Sequence, residues 1–514
     1  MSTALSRPPH AVAPLSLDSL AAVKHQVRRP GFDPAALRPG ILHLGCGAFH
    51  RAHQALLTQR AIEVEHAAGR HPLPPWGIVS TSLRTPAVAQ HLAAQDGLFT
   101  VLERDAEHTC ATVVGSLRNC IFASARPAAL RAVFLDPAIR IVTMTVTAAG
   151  YCADGRSGHL DTTDPQVQAD LRQPHPSTAI GVLVGGLRQR RDAGLPPPVI
   201  LSCDNLPGNG RLLRQMCIDF AALQDDALSR WIGECVAFPS TMVDRIVPVC
   251  TRTDLDDARA ALGLVDAVPV STEPYAQWVI EHFDGSRPRW DAVGAEYVHD
   301  VGPWEASKLR LLNGGHLAIA CLGRLAGCRT VADALAVPGV STYVLHFMLD
   351  EQKPTLPPSE HDIDAYARQL LARWRSRGIV HQLDRLLVQG SAKLPARLLD
   401  SLRENRRARR PTPCTLLAVA AWMLCTLQHD EAGMPFVLDD AMQDTLARRA
   451  GAHAHDPERL VDALLALPEI FGDLYGDPEV RAGLQQAALL LRTRGARGAI
   501  ATCVAGARRP IESA

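Results

Sequence analysis

The chain changes rhythm partway along, and that change limits its fold more than any other feature. Up to about residue 290, short β-branched runs alternate with helical stretches, whereas from Pro303 onward one helical pattern follows another. Strands are expected over 41–44, 77–82, 99–103, 140–147, 199–203 and 235–238, with helices such as 52–68 and 177–193 between them. Such alternation implies an α/β layered domain on a mostly parallel sheet. Later helices are expected over 308–325, 331–334, 341–350, 363–376, 394–407, 415–428, 441–450, 457–466 and 478–494. A boundary near residue 290, in Gly285-Ser286-Arg287-Pro288, divides the chain into 1–290 and 291–514.

Composition removes several function classes. Lys plus Arg and Asp plus Glu both count 53, so charge selects neither nucleic acid nor an anionic membrane as partner. The 13 cysteines include no C-x-x-C, and the closest pair is Cys321 and Cys328. That spacing offers no structural zinc site and no thioredoxin-type pair. Met1 to Leu15 lack a basic stretch followed by an apolar one, which with the odd cysteine count points to reduced thiols and a cytoplasmic protein. The longest apolar stretch, 413–427, falls short of the roughly 20 residues a membrane span needs and reads as a buried helix.

The expected strand 41–44 runs into Gly45-Cys46-Gly47-Ala48-Phe49-His50 and then a helical pattern. Gly45 permits a tight turn, and Gly47 lets backbone approach a pyrophosphate on the helix N-terminus, beside Ala48 and Phe49. His50 stands where the dinucleotide fingerprint has its third glycine. The second strand ends Ser80-Thr81-Ser82-Leu83-Arg84, without the acid that usually binds the ribose 2′-hydroxyl of NAD. Other dehydrogenase chemistries lack their residues. No tyrosine is followed four positions on by lysine, and no G-x-x-x-x-G-K occurs. His50 and His53 share a helix face but have no third ligand nearby in sequence, so no metal is expected.

Six motifs, in order, resemble the polyol-specific long-chain dehydrogenases, the mannitol dehydrogenase family. They are the 45–54 stretch, Ser202-Cys203-Asp204-Asn205-Leu206-Pro207-Gly208-Asn209-Gly210, Phe238-Pro239-Ser240-Thr241-Met242-Val243-Asp244-Arg245-Ile246, the 273–281 stretch, Lys308-Leu309-Arg310-Leu311-Leu312-Asn313-Gly314-Gly315-His316, and Gly390-Ser391-Ala392-Lys393-Leu394-Pro395. The resemblance implies a Rossmann-type N-terminal domain and a mostly α-helical C-terminal domain holding substrate. It implies NAD, with NADP also open, a monomer or homodimer, and metal-independent hydride transfer to a sugar-derived ketone. The runs 348–356 and 393–401 look closer to the fructuronate reductase branch, which interconverts D-fructuronate and D-mannonate. Mannitol or another polyol is the alternative substrate.

By the same resemblance Lys308 is the general acid and base, Asn205 and Asn313 polarise the carbonyl, and His316 contacts a substrate hydroxyl. Reduction puts negative charge on oxygen, so a proton donor and fixed hydrogen-bond donors suit the task. A free lysine titrates near pH 10.4, so Lys308 must be desolvated or set beside another cation. On a regular helix Lys308 and His316 lie about 80° apart, but Lys308 and Asn313 about 140°, too wide for one face unless Gly314-Gly315 loosens it. Asp244 matches a substrate position and would equally pair with Arg245 or cap a helix. Glu305 matches a proton relay and would equally serve as first-turn helix charge. Arg385 and Lys393 match substrate-side positions, and Arg397 joins them as a candidate for a carboxylate.

Two departures stand out. After 143–147 relatives continue Glu-Lys-Gly-Tyr or Glu-x-Gly-Tyr, whereas this chain has Ala148-Ala149-Gly150-Tyr151. That change admits a third reading, a nucleotide-binding protein without turnover. The usual Arg-Phe-x-Asn-Pro is replaced by Arg373-Trp374-Arg375-Ser376-Arg377, on the substrate side.

Overall fold

The computed structural model describes residues 12–506 apart from Arg156 and Ile379, so the reading of the first fifteen residues lies mostly outside it. The chain forms two compact units, the first ending at Gly302 and the second beginning at Pro303.

The first unit holds β1 (Pro39–Leu44), β2 (Gly77–Ser82), β3 (Phe99–Arg104), β4 (Thr109–Val114), β5 (Leu117–Phe122), β6 (Ile141–Met144), β7 (Val199–Ser202), β8 (Thr241–Asp244), β9 (Val270–Thr272), β10 (Gln277–Glu281) and β11 (Ala295–Val298). Its main sheet is parallel, in the order β5-β2-β1-β6-β7. The strands are buried on both faces, which is why they read as β-branched runs without alternation. The chain leaves β1 toward β2 and β5, then returns to β6 on the other side. The ends of β1 and β6 therefore flank the switch point where open α/β sheets bind ligands.

Two strand expectations and the boundary need correction. Residues 235–238 form no strand, because the helix Asp226–Cys235 occupies the start of that stretch and only Ala237 accepts a bond from β7, at Ile200. The strand lies later, at β8, in a separate sheet ordered β11-β10-β8. β3 likewise belongs to a third sheet, β4-β3-β9, rather than to the parallel one. Parallel pairing of β11 with β10 carries the first unit past residue 290.

The second unit is helical. Pro413–Cys425 is apolar almost all round and buried, as an interior helix must be. It packs between Gly314–Leu325 and the long Pro478–Ala505, which kinks at Gly495. No helix among the described residues is long and apolar enough to cross a membrane.

Candidate functional site

β1 ends in the glycine turn, and each residue there has a local reason. Gly45 has φ +101°, and a Cβ on it would lie 2.1 Å from the Thr145 carbonyl oxygen. Side chains are excluded twice over. The N–H groups of Gly45 and Cys46 both donate to the Thr81 carbonyl, at 3.0 and 2.8 Å, fixing the turn over β2. A Cβ on Gly47 would meet only the Gly45 oxygen, at 4.0 Å, so the space above this backbone is open. Helix begins at Ala48 without a side-chain cap, leaving its first N–H groups for an anion. The open space here fits a dinucleotide pyrophosphate: the N–H groups of Gly45 and Gly47 are engaged by the Thr81 and Gly45 carbonyls, so these two glycines would give it room, and Ala48 and Phe49 would offer it their N–H groups.

His50, at the third-glycine position, is fully buried and stacks on His43, ring centroids 3.4 Å apart and planes 8° from parallel. A flat imidazole pair thus fills the strand–helix contact that a glycine would otherwise make. Burial pushes His43 down to about 3, although its bond to the Gly45 oxygen at 2.9 Å pulls upward. His50 is held well below its ordinary value, first by burial and then by His43. Both rings are neutral near neutral pH.

Across the switch point, Thr145 Oγ1 donates to the Gly45 oxygen at 2.9 Å. The Asp204 carboxylate accepts from Val146 N–H at 3.0 and 3.1 Å, Thr147 N–H at 2.9 Å and Tyr151 O–H at 3.1 Å. Tyr151 O–H also lies 2.5 Å from Ser202 Oγ. Asn205 follows, exposed on the first unit, while Asn209 Nδ2 donates to the Asp204 and Thr241 carbonyls at 2.9 and 2.8 Å. Asp244 is buried at the end of β8. Arg245 does not single it out, since its guanidinium serves Glu103 at 2.5 Å and the carbonyls of Glu273 and Ala52.

In the second unit Lys308 is buried, at 8% exposure, the desolvation that an acid–base role would require. Glu305 is half-buried one helical turn before it, in Gly302–Ser307. Residues Lys308–Asn313 wind as a π-helix, whose i→i+5 bonding brings residues five apart to one side. Lys308 and Asn313 therefore share a face, which a regular helix would deny them. The loosening precedes Gly314-Gly315 and does not arise from it. Those glycines serve packing: a Cβ on Gly314 would lie 2.8 Å from the Arg397 carbonyl oxygen, and one on Gly315 would lie 2.7 Å from the Trp374 ring. Gly315→Ala is expected to cost about 1–3 kcal/mol through that clash, read as a lower denaturant midpoint. An unchanged midpoint would mean Trp374 yields freely.

His316 is buried against Trp374, centroids 4.8 Å apart, and near His381 at 5.6 Å. Its Nε2 has no hydrogen-bond partner among the described residues, an orphan that a substrate hydroxyl would satisfy. Burial holds His316 well below its ordinary value, with His381, Arg373 and Arg397 adding like-charge repulsion. Arg397 Nη1 lies 3.5 Å from the Asn313 oxygen, and burial lowers the Arg397 pKa with no acid offsetting it. Lys393 Nζ is 3.4 Å from the Leu386 oxygen; burial lowers it first, and Arg397 adds to that. Arg385 is exposed on Leu383–Leu387.

Sequence reasoning overlooked His381 and Asn209. His381 lies far from His316 along the chain, whereas Asn209 stood in a quoted motif, five residues from Asp204, and only its bonds to the Asp204 and Thr241 carbonyls mark it. Asp204 stood inside a quoted motif yet was passed over for its neighbour Asn205.

Comparison with known proteins gives a consistent result. Residues 39–292 match the mannitol dehydrogenase Rossmann domain, and 300–490 match the mannitol dehydrogenase C-terminal domain. The chain is 38% identical over 483 residues to the D-mannonate oxidoreductase of Escherichia coli K12, covering 92% of this chain and 98% of that one. It resembles the Pseudomonas fluorescens mannitol 2-dehydrogenase solved with NAD and D-mannitol, with TM-score 0.79, 34% identity, and 96% and 100% of the two chains covered. A substrate-free D-sorbitol dehydrogenase gives TM-score 0.86 at 30% identity, with 95% and 100% covered.

Proposed function

The chain belongs to the mannitol dehydrogenase family of oxidoreductases, and from that premise we propose that it interconverts D-fructuronate and D-mannonate with NAD. The observation that carries the choice of a sugar acid is the cationic wall around His316. Arg397 is half-buried with Nη1 3.5 Å from the Asn313 backbone carbonyl oxygen, Lys393 is half-buried four residues before it, and Arg373 precedes the Trp374 ring that packs on His316; both arginines add repulsion at that ring. Partly desolvated cations of this kind favour a carboxylate over a neutral polyol end.

The nicotinamide, when bound, supplies or receives the hydride. Lys308 gives a proton to the carbonyl oxygen during reduction and takes it back during oxidation. Asn313 in the second unit, and Asn205 in the first by its family position, are neutral amides of the kind that stabilises charge on a carbonyl oxygen without competing for the lysine proton. His316, kept neutral, holds a substrate hydroxyl. Asp244, Lys393 and Arg385 act on the substrate side, and Glu305 relays the proton of Lys308. No acid follows β2, where Ser82, Leu83 and Arg84 stand, so NADPH belongs in the test beside NADH.

The test follows cofactor absorbance with D-fructuronate and D-fructose offered side by side. Faster oxidation with fructuronate is expected; preference for fructose would move the chain to the polyol branch. Bound cofactor without turnover of either would favour the non-catalytic reading. Arg397→Leu should cut kcat/KM for fructuronate about 10–100-fold, the worth of a charged hydrogen bond, and leave fructose nearly unchanged. Equal losses on both would remove Arg397 from carboxylate recognition.

A further inference from the structure

Thr147 sits at φ +68°, ψ 165°, a region essentially reserved for glycine. Five residues on, Cys152 is also left-handed, at φ +51°. The two strained positions bracket Ala148–Tyr151, at the switch point beside the glycine turn. Strain of this kind persists only where the surroundings over-determine it. Here one side chain accepts most of the bonds, beside the backbone bonds from Gly150 N–H to Thr147 and from Asp161 N–H to Cys152. The buried Asp204 carboxylate takes both N–H groups that the strained backbone turns inward, Val146 and Thr147, and also the Tyr151 hydroxyl. Asp204 is anchored in turn, its N–H donating to Ser202 Oγ at 3.2 Å and its carbonyl accepting from Asn209 at 2.9 Å. On the other flank, Thr145 is tied to the Gly45 oxygen and to His43 Nε2 at 3.0 Å.

We propose that Asp204 is a positioning residue for the cofactor. It holds residues 145–151 in a strained shape that forms one wall of the nucleotide cleft opposite Gly45–Gly47. The inference rests on the nicotinamide reading above. It also explains how Ala148-Ala149 is accommodated: the loop is shaped from behind by Asp204 and Tyr151, not by a side chain at 148.

The test uses the full chain, with NADH affinity read by fluorescence titration and folding read by a thermal melt. Asp204→Asn keeps the size but removes the charge and turns Oδ2, which accepts from Tyr151 O–H and shares the Val146 N–H, into a donor. It is expected to weaken NADH at least about 10-fold. Adding Thr147→Gly, which adopts this backbone without strain, should recover at least half of that loss on a logarithmic scale. Wild-type affinity in Asp204→Asn would overturn the proposal, as would a double variant no tighter than the single one. If Asp204→Asn does not fold, the double variant must both fold and bind NADH, and its failure counts against the proposal equally. A wild-type chain that binds neither NADH nor NADPH would sink the nicotinamide reading itself. A normal wild type with an indifferent Asp204→Asn would sink this inference alone.

Discussion

Lys308→Met is expected to lower kcat/KM for ketone reduction by about 10²–10⁴-fold while leaving NADH affinity nearly intact. Methionine keeps the length and apolar stem of the buried lysine, so the site stays packed and loses only its proton. The π-wound turn keeps Asn313 on the same face, and that amide still stabilises charge on the carbonyl oxygen. A residual rate above the uncatalysed one should therefore survive. The measurement is steady-state kinetics paired with an NADH titration. Activity within about 3-fold of wild type would remove Lys308 from the chemistry. A parallel loss of NADH binding would show that it acts on structure.

Acid should destabilise the protein before its ordinary surface carboxylates titrate. His43 falls from 6.5 to about 3 and His381 to about 4, while His50 and His316 lie well below 6.5, burial being the largest cause in each. Below pH 6.5 the unfolded chain binds protons that the native rings refuse. The stabilisation these rings provide is therefore complete above pH 6.5 and is lost as pH falls toward their folded values. His43 alone contributes about 1.4 kcal/mol per pH unit over that window. Glu351 works in the opposite sense between 4.5 and about 7, since burial raises it although Cys414 and Thr415 donate to it. Burial also raises Glu63, Asp204 and Glu431, which oppose the four imidazoles in the same sense without cancelling them. Urea midpoints at pH 7, 6 and 5 should fall steadily; a flat series would mean these histidines are solvated in solution.

The change of rhythm near residue 290 made the two-part architecture legible, because parallel strands and interior helices carry their burial in composition. The glycine turn was legible for a similar reason: Gly45 stands where no side chain fits. Strand 235–238 misled because an apolar segment beside β7 looks the same whether it makes one hydrogen bond or a full ladder. The winding at 308–313 was hidden, since nothing in Lys-Leu-Arg-Leu-Leu-Asn departs from ordinary helix formers. Only the 140° mismatch between Lys308 and Asn313 hinted that the helix was irregular. The partners of His316 were hidden too, because His381 and Arg397 come from segments whose meeting is decided by packing.

The π turn also means that this helix carries one residue more than a regular helix of equal rise. Rewinding these same six residues as a regular α-helix would give a smoother backbone and would swing the lysine about 140° from its amide partner. Local regularity and catalytic alignment are set against each other along these six positions. A repair that looks like an improvement to the backbone would here amount to disarming the protein.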